Sequence, residues 1–415
     1  MDRFAAPPSR ALRVFYALLL IGATVVAVDR GLEQAIGGDF EVFWSAGGRF
    51  WDGAPLYQVA PGARDFIYPP FAAFLFQPLH LLPLVPSAIA FGLLNVALMV
   101  VLYHLTIRIV ARTMPERRPG RWPFVLAIVL AHSYLLNNAN LVQVNVVNTV
   151  LVLGGVALAL DGRERLAAVP IVAAAAMKVM PVLFVGWLLI RRPRAALPGV
   201  LLAGAAVVAL PLVQRGPSQG IADLRGYYHA FLADFQGGRV VADYTNQNIA
   251  SAVERMARPV TNRERLDYRW MPLSEGAATA LRNGLAALVL ATLIGAWLVA
   301  ARRGAPITAW ELAAGFLAWH LVSGITWKSH LVTYVFLVAI FFAAPFRHWP
   351  RPGRWAMAAA LTLLAITAFI GRDIVGRTAH YYIGGWSILT WMMLLMFALA
   401  AWRSVAPQDP APQPA

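Results

Sequence analysis

Residues Gly37–Pro70, GGDFEVFWSAGGRFWDGAPLYQVAPGARDFIYPP, form the first long polar interruption after an apolar N-terminal segment. The run EVFWSAGGRFW within them predicts a helix lying in the bilayer interface, because aromatic rings favour the headgroup level while charged groups stay hydrated. Asp39 would be the N-cap residue of that helix. Four aromatic residues would lie at the headgroups: Phe43, Trp44, Phe50 and Trp51.

Asp39 admits two interpretations. As an N-cap it would only accept hydrogen bonds from the N–H groups of the first helical turn. As a carboxylate at a lipid–water boundary it could act as general base on a hydroxyl group, provided that the other reactant arrives in the membrane. Its position alone leaves both interpretations open.

The composition places the chain in the membrane class. Its 415 residues are 59% hydrophobic and only 13% charged, which is too little polar surface for a soluble globule. Long apolar runs recur along the chain and are typical of helices that cross a bilayer. We therefore expect an all-α polytopic membrane protein.

The residues that could bind a metal or nucleic acid are sparse or scattered. The chain has no cysteine, and its eight histidines form no HExxH or other ligand spacing, so we expect no metal and no cofactor. The net charge of +15 comes from short basic clusters between apolar segments. Because these clusters match no nucleic-acid-binding module, we expect no nucleic-acid partner and interpret them as topology signals.

The positive-inside rule orders the membrane crossings. Three arginines precede the first apolar segment, Val14–Arg30, which lacks a small-residue cleavage site and is expected to be a retained helix. Its N-terminus would lie on the inner, cytoplasmic side of a bacterial inner membrane, so Asp39 would face the periplasmic or extracytoplasmic side. About ten full crossings result from this rule. The other nine are Leu84–Ile109, Trp122–Tyr134, Val142–Leu160, Ala195–Val213, Ala277–Ala301, Ile307–Gly324, His330–Phe346, Trp355–Ile370 and Tyr382–Trp402.

One apolar stretch conflicts with a straight crossing. Arg165 and the cluster Arg191–Arg194 bracket about 25 mostly apolar residues, so a single crossing would put the cluster outside, against the positive-inside rule. A break at Met177–Pro181 resolves the conflict, because two half-length helices could enter the membrane and return. The sequence therefore predicts a re-entrant helical hairpin with Lys178 at its tip.

The domain organisation is simple. We expect a single integral membrane domain over residues 1–403, with a first outer loop at 30–83 that contains interfacial helices and a long outer loop at 214–275. The composition of residues 404–415 predicts a disordered tail. We find no internal repeat.

Lysine is rare in this chain, and its two positions stand out. Of 35 basic residues only Lys178 and Lys328 are lysine, and His330 follows Lys328 closely. All three would lie at the outer face, where cations could bind a phosphate. The alternatives are a snorkelling side chain for Lys178 and an ordinary interfacial loop for Lys328 and His330.

An amide cluster and one tyrosine are further candidates. Asn138, Gln143 and Asn145 belong to a short outer turn and the start of the next helix, where they could bind a polar ligand or bond to neighbouring helices. Tyr68, in the sequence Tyr68-Pro69-Pro70, could line a ligand-binding groove. It could equally belong to an extended segment whose prolines start a helix.

Six motifs occur in order between Asp39 and Tyr334: DFEVFW, YPPFAAFLFQPLHLLP, NLVQVNVVN, AAAMKVMPVLF, TNQN and WKSH. Together they resemble glycosyltransferase family 87 (GT87), whose members use polyprenyl-phosphate sugars and have the GT-C membrane fold. The resemblance departs from the family pattern at two motifs. The usual GQxN appears as Leu141-Val142-Gln143-Val144-Asn145, without the glycine, and the usual NQS appears as Asn246-Gln247-Asn248.

The resemblance implies roles for several residues. The early aspartate of the first outer loop, here Asp39, would be the catalytic base. Asn246, Gln247 and Arg255 would contact sugar or acceptor. With such substrates, the amide cluster of Asn138, Gln143 and Asn145 could recognise the sugar, and Tyr68 could line the acceptor groove. The family also implies a lipid-phosphate donor bound from the outer leaflet, inversion at the anomeric carbon and, most often, mannose.

The chemistry of such a donor agrees with these residues. A polyprenyl monophosphate leaving group carries its charge on one phosphate, so the enzyme needs a base and cations but no metal clamp. The sequence thus predicts an inverting, metal-independent glycosyltransferase whose partners are membrane lipids, the donor, and a lipid-linked or glycan acceptor. Asp39 would be the base, and Lys178, His330 and Lys328 would bind the donor phosphate.

Two other functional classes stay open on sequence grounds. An undecaprenyl-linked glycan polymerase or ligase would carry its key residues in the long outer loop and none at Asp39. A non-enzymatic lipid or solute transporter would use Lys178 as a substrate or proton site at a broken helix, although no inverted repeat supports it.

Overall fold

The computed structural model describes residues 9–33, 36–57, 65–115, 117, 120–260, 266–369 and 371–406. Within these residues the regular secondary structure is entirely helical, with no strand. The predicted all-α class is confirmed. The predicted tail, 404–415, begins inside the last helix, which ends at Val405, and residues 407–415 lie outside the described residues.

The described residues form nineteen α-helices. The first ten are α1 Arg10–Glu33, α2 Asp39–Trp51, α3 Pro70–His80, α4 Leu84–Thr113, α5 Trp122–Asn140, α6 Asn145–Leu160, α7 Glu164–Met177, α8 Val182–Arg191, α9 Pro193–Arg215 and α10 Pro217–Tyr227. The others are α11 Ala233–Gln236, α12 Ile249–Ala257, α13 Glu275–Arg302, α14 Ala309–Val322, α15 Tyr334–Ala343, α16 Arg351–Phe369, α17 Arg372–Val375, α18 Arg377–Gly385 and α19 Ile388–Val405.

Six of these helices are long and apolar enough to cross a bilayer: α1, α4, α9, α13, α16 and α19. Helix α1 leaves most of its apolar side chains exposed, as a helix in contact with lipid does. Shorter apolar helices lie at Asn145–Leu160, Val182–Arg191 and Lys328–Ala343. The polytopic membrane class is thus confirmed, and the number of ten full crossings stays a prediction.

The chain divides into two compact units. Unit 1 comprises Met1–Leu105 and Leu135–Arg239, and unit 2 comprises Thr106–Tyr134 and Val240–Ala415. Helices α4 and α5 each contribute residues to both units. The predicted loop 214–275 contains three of the α-helices, α10 to α12, in addition to the C-terminal end of α9.

In unit 1, α2 packs closely against α3. A side chain at Gly47 would place its Cβ 2.6 Å from the carbonyl oxygen of Phe76, so only glycine permits this approach. The buried phenylalanines Phe40, Phe43 and Phe50 of α2 face this contact. Phe43 and Phe50 thus belong to the core of unit 1, and the predicted position of α2 at the level of the headgroups stays a prediction.

The predicted break in the α7–α8 stretch is confirmed. Helix α7 ends at Met177 and α8 begins at Val182, so the four residues between them are not helical. The helices of 14 and 10 residues are about 21 and 15 Å long, each shorter than the hydrocarbon core of a bilayer.

The two ends of the α7–α8 hairpin meet. Arg192 Nε, just after α8, lies 3.5 Å from Glu164 Oε1 at the start of α7. The chain therefore turns back at the break, as the re-entrant hairpin requires.

Unit 2 is built around α14, of which nearly every residue is buried. A capping box starts this helix, since the Thr308 side chain accepts from the Glu311 N–H and the Glu311 carboxylate accepts from the Thr308 N–H. The last helix, α19, begins at Ile388 after Ser387, which has a left-handed backbone (φ 60°). The predicted start of this span at Tyr382 is therefore wrong by about six residues.

Candidate functional site

Asp39 is placed at the beginning of α2 and is half-buried. Its Oδ2 accepts a hydrogen bond of 2.6 Å from Nε2 of Gln143, a side chain that is only 3% exposed. A charge-assisted bond of this length fixes the orientation of a carboxylate. The structure therefore joins the predicted base to a residue of the predicted amide cluster.

The predicted N-cap role of Asp39 is wrong. Gly38 is the N-cap residue, Asp39 is the first helical residue, and the cap makes no side-chain hydrogen bond. Glu41 satisfies a donor at this end instead, because its Oε2 accepts from the Gly37 N–H at 2.6 Å. The two acids of this helical turn therefore have different hydrogen-bond partners. Glu41 accepts from the Gly37 N–H, whereas Asp39 accepts from Gln143.

The turn that presents Gln143 has an unusual backbone. Val142 has φ 48°, in the left-handed region that a β-branched residue rarely adopts. The turn is held by backbone bonds from Val142 to Ala139 and from Gln143 to Asn138, each 3.0 Å. Val142 stands where the family pattern has glycine, so the sequence departure coincides with a strained residue next to the site.

Lys178 is the C-cap residue of α7, at the break before α8, and is half-buried. Its Nζ donates to Oδ1 of Asn145 at 2.7 Å, and Nδ2 of Asn145 donates to Oδ1 of Asn138 at 3.2 Å. Nδ2 of Asn138 lies 3.4 Å from the carbonyl oxygen of Gln143. A chain of polar contacts therefore runs from Lys178 through two amides to the residue that binds Asp39.

Tyr68 completes this cluster. The Lys178 Nζ lies 5.9 Å from the centre of its ring, and the ring of Phe43 packs on it with centres 4.5 Å apart. Burial, followed by the nearby Asp39 carboxylate, raises the pKa of the Tyr68 phenol above its ordinary value. The hydroxyl therefore stays protonated and able to donate. Pro70 begins α3, which also confirms that the prolines start a helix.

The amide cluster extends one turn further into α6. Asn148 is 1% exposed, and neither atom of its amide has a hydrogen-bond partner within the described part of the chain. Such a buried amide costs free energy unless something satisfies it. It lies one helical turn beyond Asn145, the residue that binds Lys178.

Sequence reasoning missed a buried ion pair at the other end of α2. Arg215 Nε lies 2.9 Å from Asp223 Oδ2, and both side chains are almost fully buried. The same guanidinium donates to the carbonyl oxygens of Arg49 and Phe50 at 3.0 and 3.2 Å, so it caps the C-terminus of α2. Its signal in the sequence was its place at the predicted outer end of the span Ala195–Val213, where the positive-inside rule does not expect an arginine.

In unit 2, Asn246 and Gln247 precede α12 and are buried. Asn246 Oδ1 accepts from the Thr326 N–H at 2.8 Å, and Gln247 Nε2 donates to the Gly384 carbonyl at 3.0 Å. Both amides thus hold backbone segments in place. Their predicted contact with sugar or acceptor stays a prediction.

Arg255 of α12 is completely buried. Its guanidinium donates to the carbonyl oxygens of Gly385 and Asp243 and to the hydroxyls of Ser251 and Ser387. Burial lowers the pKa of Arg255 to about 10, against the opposing effect of Asp243. The group connects α12 to the start of α19, and its predicted substrate role stays a prediction.

Lys328 and His330 lie in a 3-10 helix, Lys328–Thr333, and both are half-buried. The ring of His330 stacks on Trp327, with centres 6.0 Å apart, and its Nδ1 lies 3.1 Å from the Ile325 carbonyl oxygen. These contacts fix the imidazole locally. The predicted role of both residues in phosphate binding stays a prediction.

Metal-ligating side chains do not gather in the described residues: no three His, Cys, Asp or Glu groups there could hold a metal ion. The expectation that the chemistry needs no metal stays a prediction.

Comparison with known proteins gave one finding. A family model described as glycosyltransferase family 87 matches residues 66–324, well over half of the chain. The match includes Tyr68, Gln143 and Lys178, whereas Asp39 precedes it and His330 follows it. Comparison with curated proteins and with solved structures gave no match.

Proposed function

The chain belongs to glycosyltransferase family 87 and is a multi-pass membrane glycosyltransferase, and we propose that its donor is a polyprenyl-phosphate-linked hexose. The proposed product is a glycosylated lipid or glycan on the outer, periplasmic or extracytoplasmic, face of a bacterial inner membrane. Mannose is the first sugar to test. The observation that carries the proposal is the polar network that links Asp39 and Lys178 within unit 1.

Asp39 is the proposed general base. Gln143 binds its Oδ2, and Lys178 is close enough to interact with it electrostatically. A carboxylate positioned in this way can accept the proton of an acceptor hydroxyl within hydrogen-bond reach. Because α2 is anchored at its far end by Arg215, the carboxylate is carried on a rigid element.

Lys178 is the proposed partner of the donor phosphate. An ammonium group has three N–H donors, and Asn145 accepts from it, so donors remain for phosphate oxygens. The leaving group of a polyprenyl monophosphate gains negative charge on its bridging oxygen as the bond to the sugar breaks. A lysine at that oxygen stabilises the transition state more than the ground state.

The proposed reaction is a single displacement. The acceptor oxygen attacks the anomeric carbon while its proton passes to Asp39, and the bond between the anomeric carbon and the phosphate oxygen breaks with its electron pair on the oxygen. The products are the inverted glycoside, polyprenyl phosphate and a protonated Asp39, which returns its proton to water. This step needs no metal, because one phosphate carries all of the departing charge.

The test is a donor panel. Purified protein in lipid nanodiscs is incubated with polyprenyl-phosphate mannose, with other polyprenyl-phosphate hexoses, and with a polyprenyl-diphosphate sugar. We expect wild type to release polyprenyl phosphate from a monophosphate donor, and Asp39→Asn to release it about 10²–10⁴ times more slowly. Consumption of the diphosphate donor alone would instead support a glycan polymerase or ligase.

A further inference from the structure

Helix α9 packs against α7, the helix that ends just before Lys178. The two backbones touch at Gly199 of α9, where a side chain would place its Cβ 2.8 Å from the Cα of Arg165. Only glycine permits so close an approach. The position of α9 relative to α7 is therefore set by backbone contact, which leaves little freedom for sliding or tilting.

The last residue of α9, Arg215, binds the end of α2. Its guanidinium donates to three backbone carbonyl oxygens at 2.7 to 3.2 Å, those of Arg49, Phe50 and Ala54. Two further bonds, of 2.9 and 3.3 Å, go to the carboxylate of Asp223. The side chains of Arg215 and Asp223 are only 1% and 3% exposed. Because a guanidinium is planar and its N–H donors have fixed directions, these bonds set the position of the end of α2 relative to α9.

The residue before it, Gln214, binds α3. Gln214 and the buried Gln77 of α3 exchange amide hydrogen bonds, of which the one from Gln77 Nε2 to Gln214 Oε1 is 3.2 Å long. Since α3 packs closely against α2, the last turn of α9 holds both helices of this pair. Helix α9 thus connects the helix that begins with Asp39 to the helix that ends before Lys178.

The contact with Arg215 lies at the far end of α2 from the proposed base. Asp39 and Trp51 are the first and last residues of α2, so about 18 Å separate them along the helix axis. A tilt of α2 by about 3° around its contact with Arg215 would displace Asp39 by about 1 Å. A displacement of that size at the reacting groups can lower a rate by about 10²-fold. The hydrogen bond from Gln143 orients the carboxylate, whereas the contacts of α2 with α3 and α9 set the position of the helix axis.

We propose that Arg215 is a positioning residue that sets the place of Asp39 relative to Lys178. This inference rests on the proposed function, in which Asp39 takes the proton of the acceptor and Lys178 binds the donor phosphate. Arg215 acts through α2 rather than on a substrate. Its loss therefore impairs the attack on the anomeric carbon and leaves donor binding nearly intact, because Lys178 follows α7.

The kinetic test uses the full-length protein in nanodiscs and two kinds of variant. Arg215→Gln leaves Asp223 buried and unpaired, so the double variant Arg215→Gln with Asp223→Asn is made as well, because it removes both charges. We expect the double variant to regain melting temperature relative to Arg215→Gln. Its kcat should still be about 10- to 10²-fold below that of wild type, with the donor KM within about threefold.

Two single substitutions complete the kinetic comparison. Arg215→Lys keeps a charge opposite Asp223, but one ammonium group cannot span three carbonyl oxygens, so its kcat should lie between those of wild type and the double variant. Arg403→Lys is the matched control, since it alters another buried arginine in the last turn of a long apolar helix, α19 in unit 2. Its kcat should stay within about twofold of wild type, whatever its melting temperature.

A distance measurement separates this proposal from the proposed function. Spin labels at Ser45→Cys of α2 and Val182→Cys of α8 suit a chain without natural cysteine, and double electron–electron resonance gives the distribution of distances between them. We expect the Arg215 double variant to shift or broaden this distribution. An unchanged distribution, or a kcat that recovers together with the melting temperature, would overturn the positioning role. An altered distribution in a protein whose wild type uses no polyprenyl-phosphate hexose would support the fixing of α2 by Arg215 and contradict the proposed function instead.

Discussion

Arg192 lies 3.5 Å from Glu164, and this ion pair joins the end of α8 to the beginning of α7. The contact explains how basic residues on both sides of one apolar stretch can share one side of the membrane. A straight crossing would separate Glu164 and Arg192 by the thickness of a bilayer, about 30 Å. The hairpin instead carries Lys178 at its tip.

The first prediction concerns this topology. Cysteine labelling suits the protein because the natural chain has none. With a membrane-impermeant maleimide on spheroplasts, Ser218→Cys and Val179→Cys should label from outside, whereas Arg163→Cys and Arg194→Cys should label only after permeabilisation. Outside labelling at Arg194 would contradict the hairpin orientation.

The second prediction concerns the base. Asp39→Asn keeps the shape of the side chain but removes the proton acceptor, so transfer should fall by about 10²–10⁴ while the protein remains folded. The measurement is initial rate with a saturating donor, together with melting temperature in detergent. Near-wild-type turnover would limit Asp39 to a structural role.

Glu41→Gln is the matched control for this experiment. Glu41 lies two residues after Asp39, and its carboxylate accepts from the Gly37 N–H at the start of α2. Glutamine retains an oxygen that can accept this bond, so the rate should stay within about threefold of wild type. A loss as large as that of Asp39→Asn would show that the assay responds to the start of α2 rather than to the base.

The third prediction concerns backbone strain at Val142. Replacing it by glycine removes a buried side chain but relieves a left-handed backbone that costs about 1–2 kcal/mol in a non-glycine residue. Val144→Gly removes an equally buried valine from a right-handed backbone and has no strain to relieve. We expect Val142→Gly to be less destabilising by about 1–3 kcal/mol. The check is the midpoint of denaturant unfolding, and equal losses would contradict it.

The fourth prediction separates two asparagines of α6. Asn148→Leu removes an amide without partners, so the melting temperature should rise, corresponding to about 1–2 kcal/mol. Asn145→Leu should lower it, because Lys178 and Asn138 each lose a partner. A lower melting temperature for Asn148→Leu would show that this amide is satisfied in the folded protein, by water or by lipid.

The hairpin was predictable because charge and proline act locally. Arginine clusters indicate the side of the membrane, and Pro181, the residue before α8, disfavours a continuous helix across the break. The same local rules misassigned the cap of α2, since Asp39 and Glu41 are both acids of the first turn. Only the position of Gln143, more than 100 residues away in the chain, decides which carboxylate faces the site.

Contacts distant in sequence also account for the other differences. The pattern of α2 allowed Phe43 and Phe50 to face lipid, but packing against α3 buries them. The role of Arg215 could not be predicted from its position in the sequence, because that role depends on the ion pair with Asp223 and on the carbonyl groups of α2. The amide cluster was visible in the sequence, whereas its connection to Asp39 was not.

The last prediction concerns Lys178, whose Nζ donates to Asn145. If Lys178 binds the donor phosphate, its charge contributes more as the sugar–phosphate bond breaks, so its loss should lower turnover as well as donor affinity. Lys178→Met keeps an apolar stem of similar length, and kcat/KM should fall by about 10²-fold. Lys178→Arg keeps the charge but replaces a compact ammonium by a planar fork, so its activity should lie between the two.

The measurement is steady-state transfer against donor concentration for wild type and both variants, with melting temperature in detergent as the test of folding. A snorkelling lysine contributes its charge to the membrane surface rather than to the reaction, so its replacement would leave both kcat and KM unchanged. A folded Lys178→Met variant with wild-type kinetics would therefore assign Lys178 to snorkelling. The donor phosphate would then have to be sought at the two other predicted cations, Lys328 and His330.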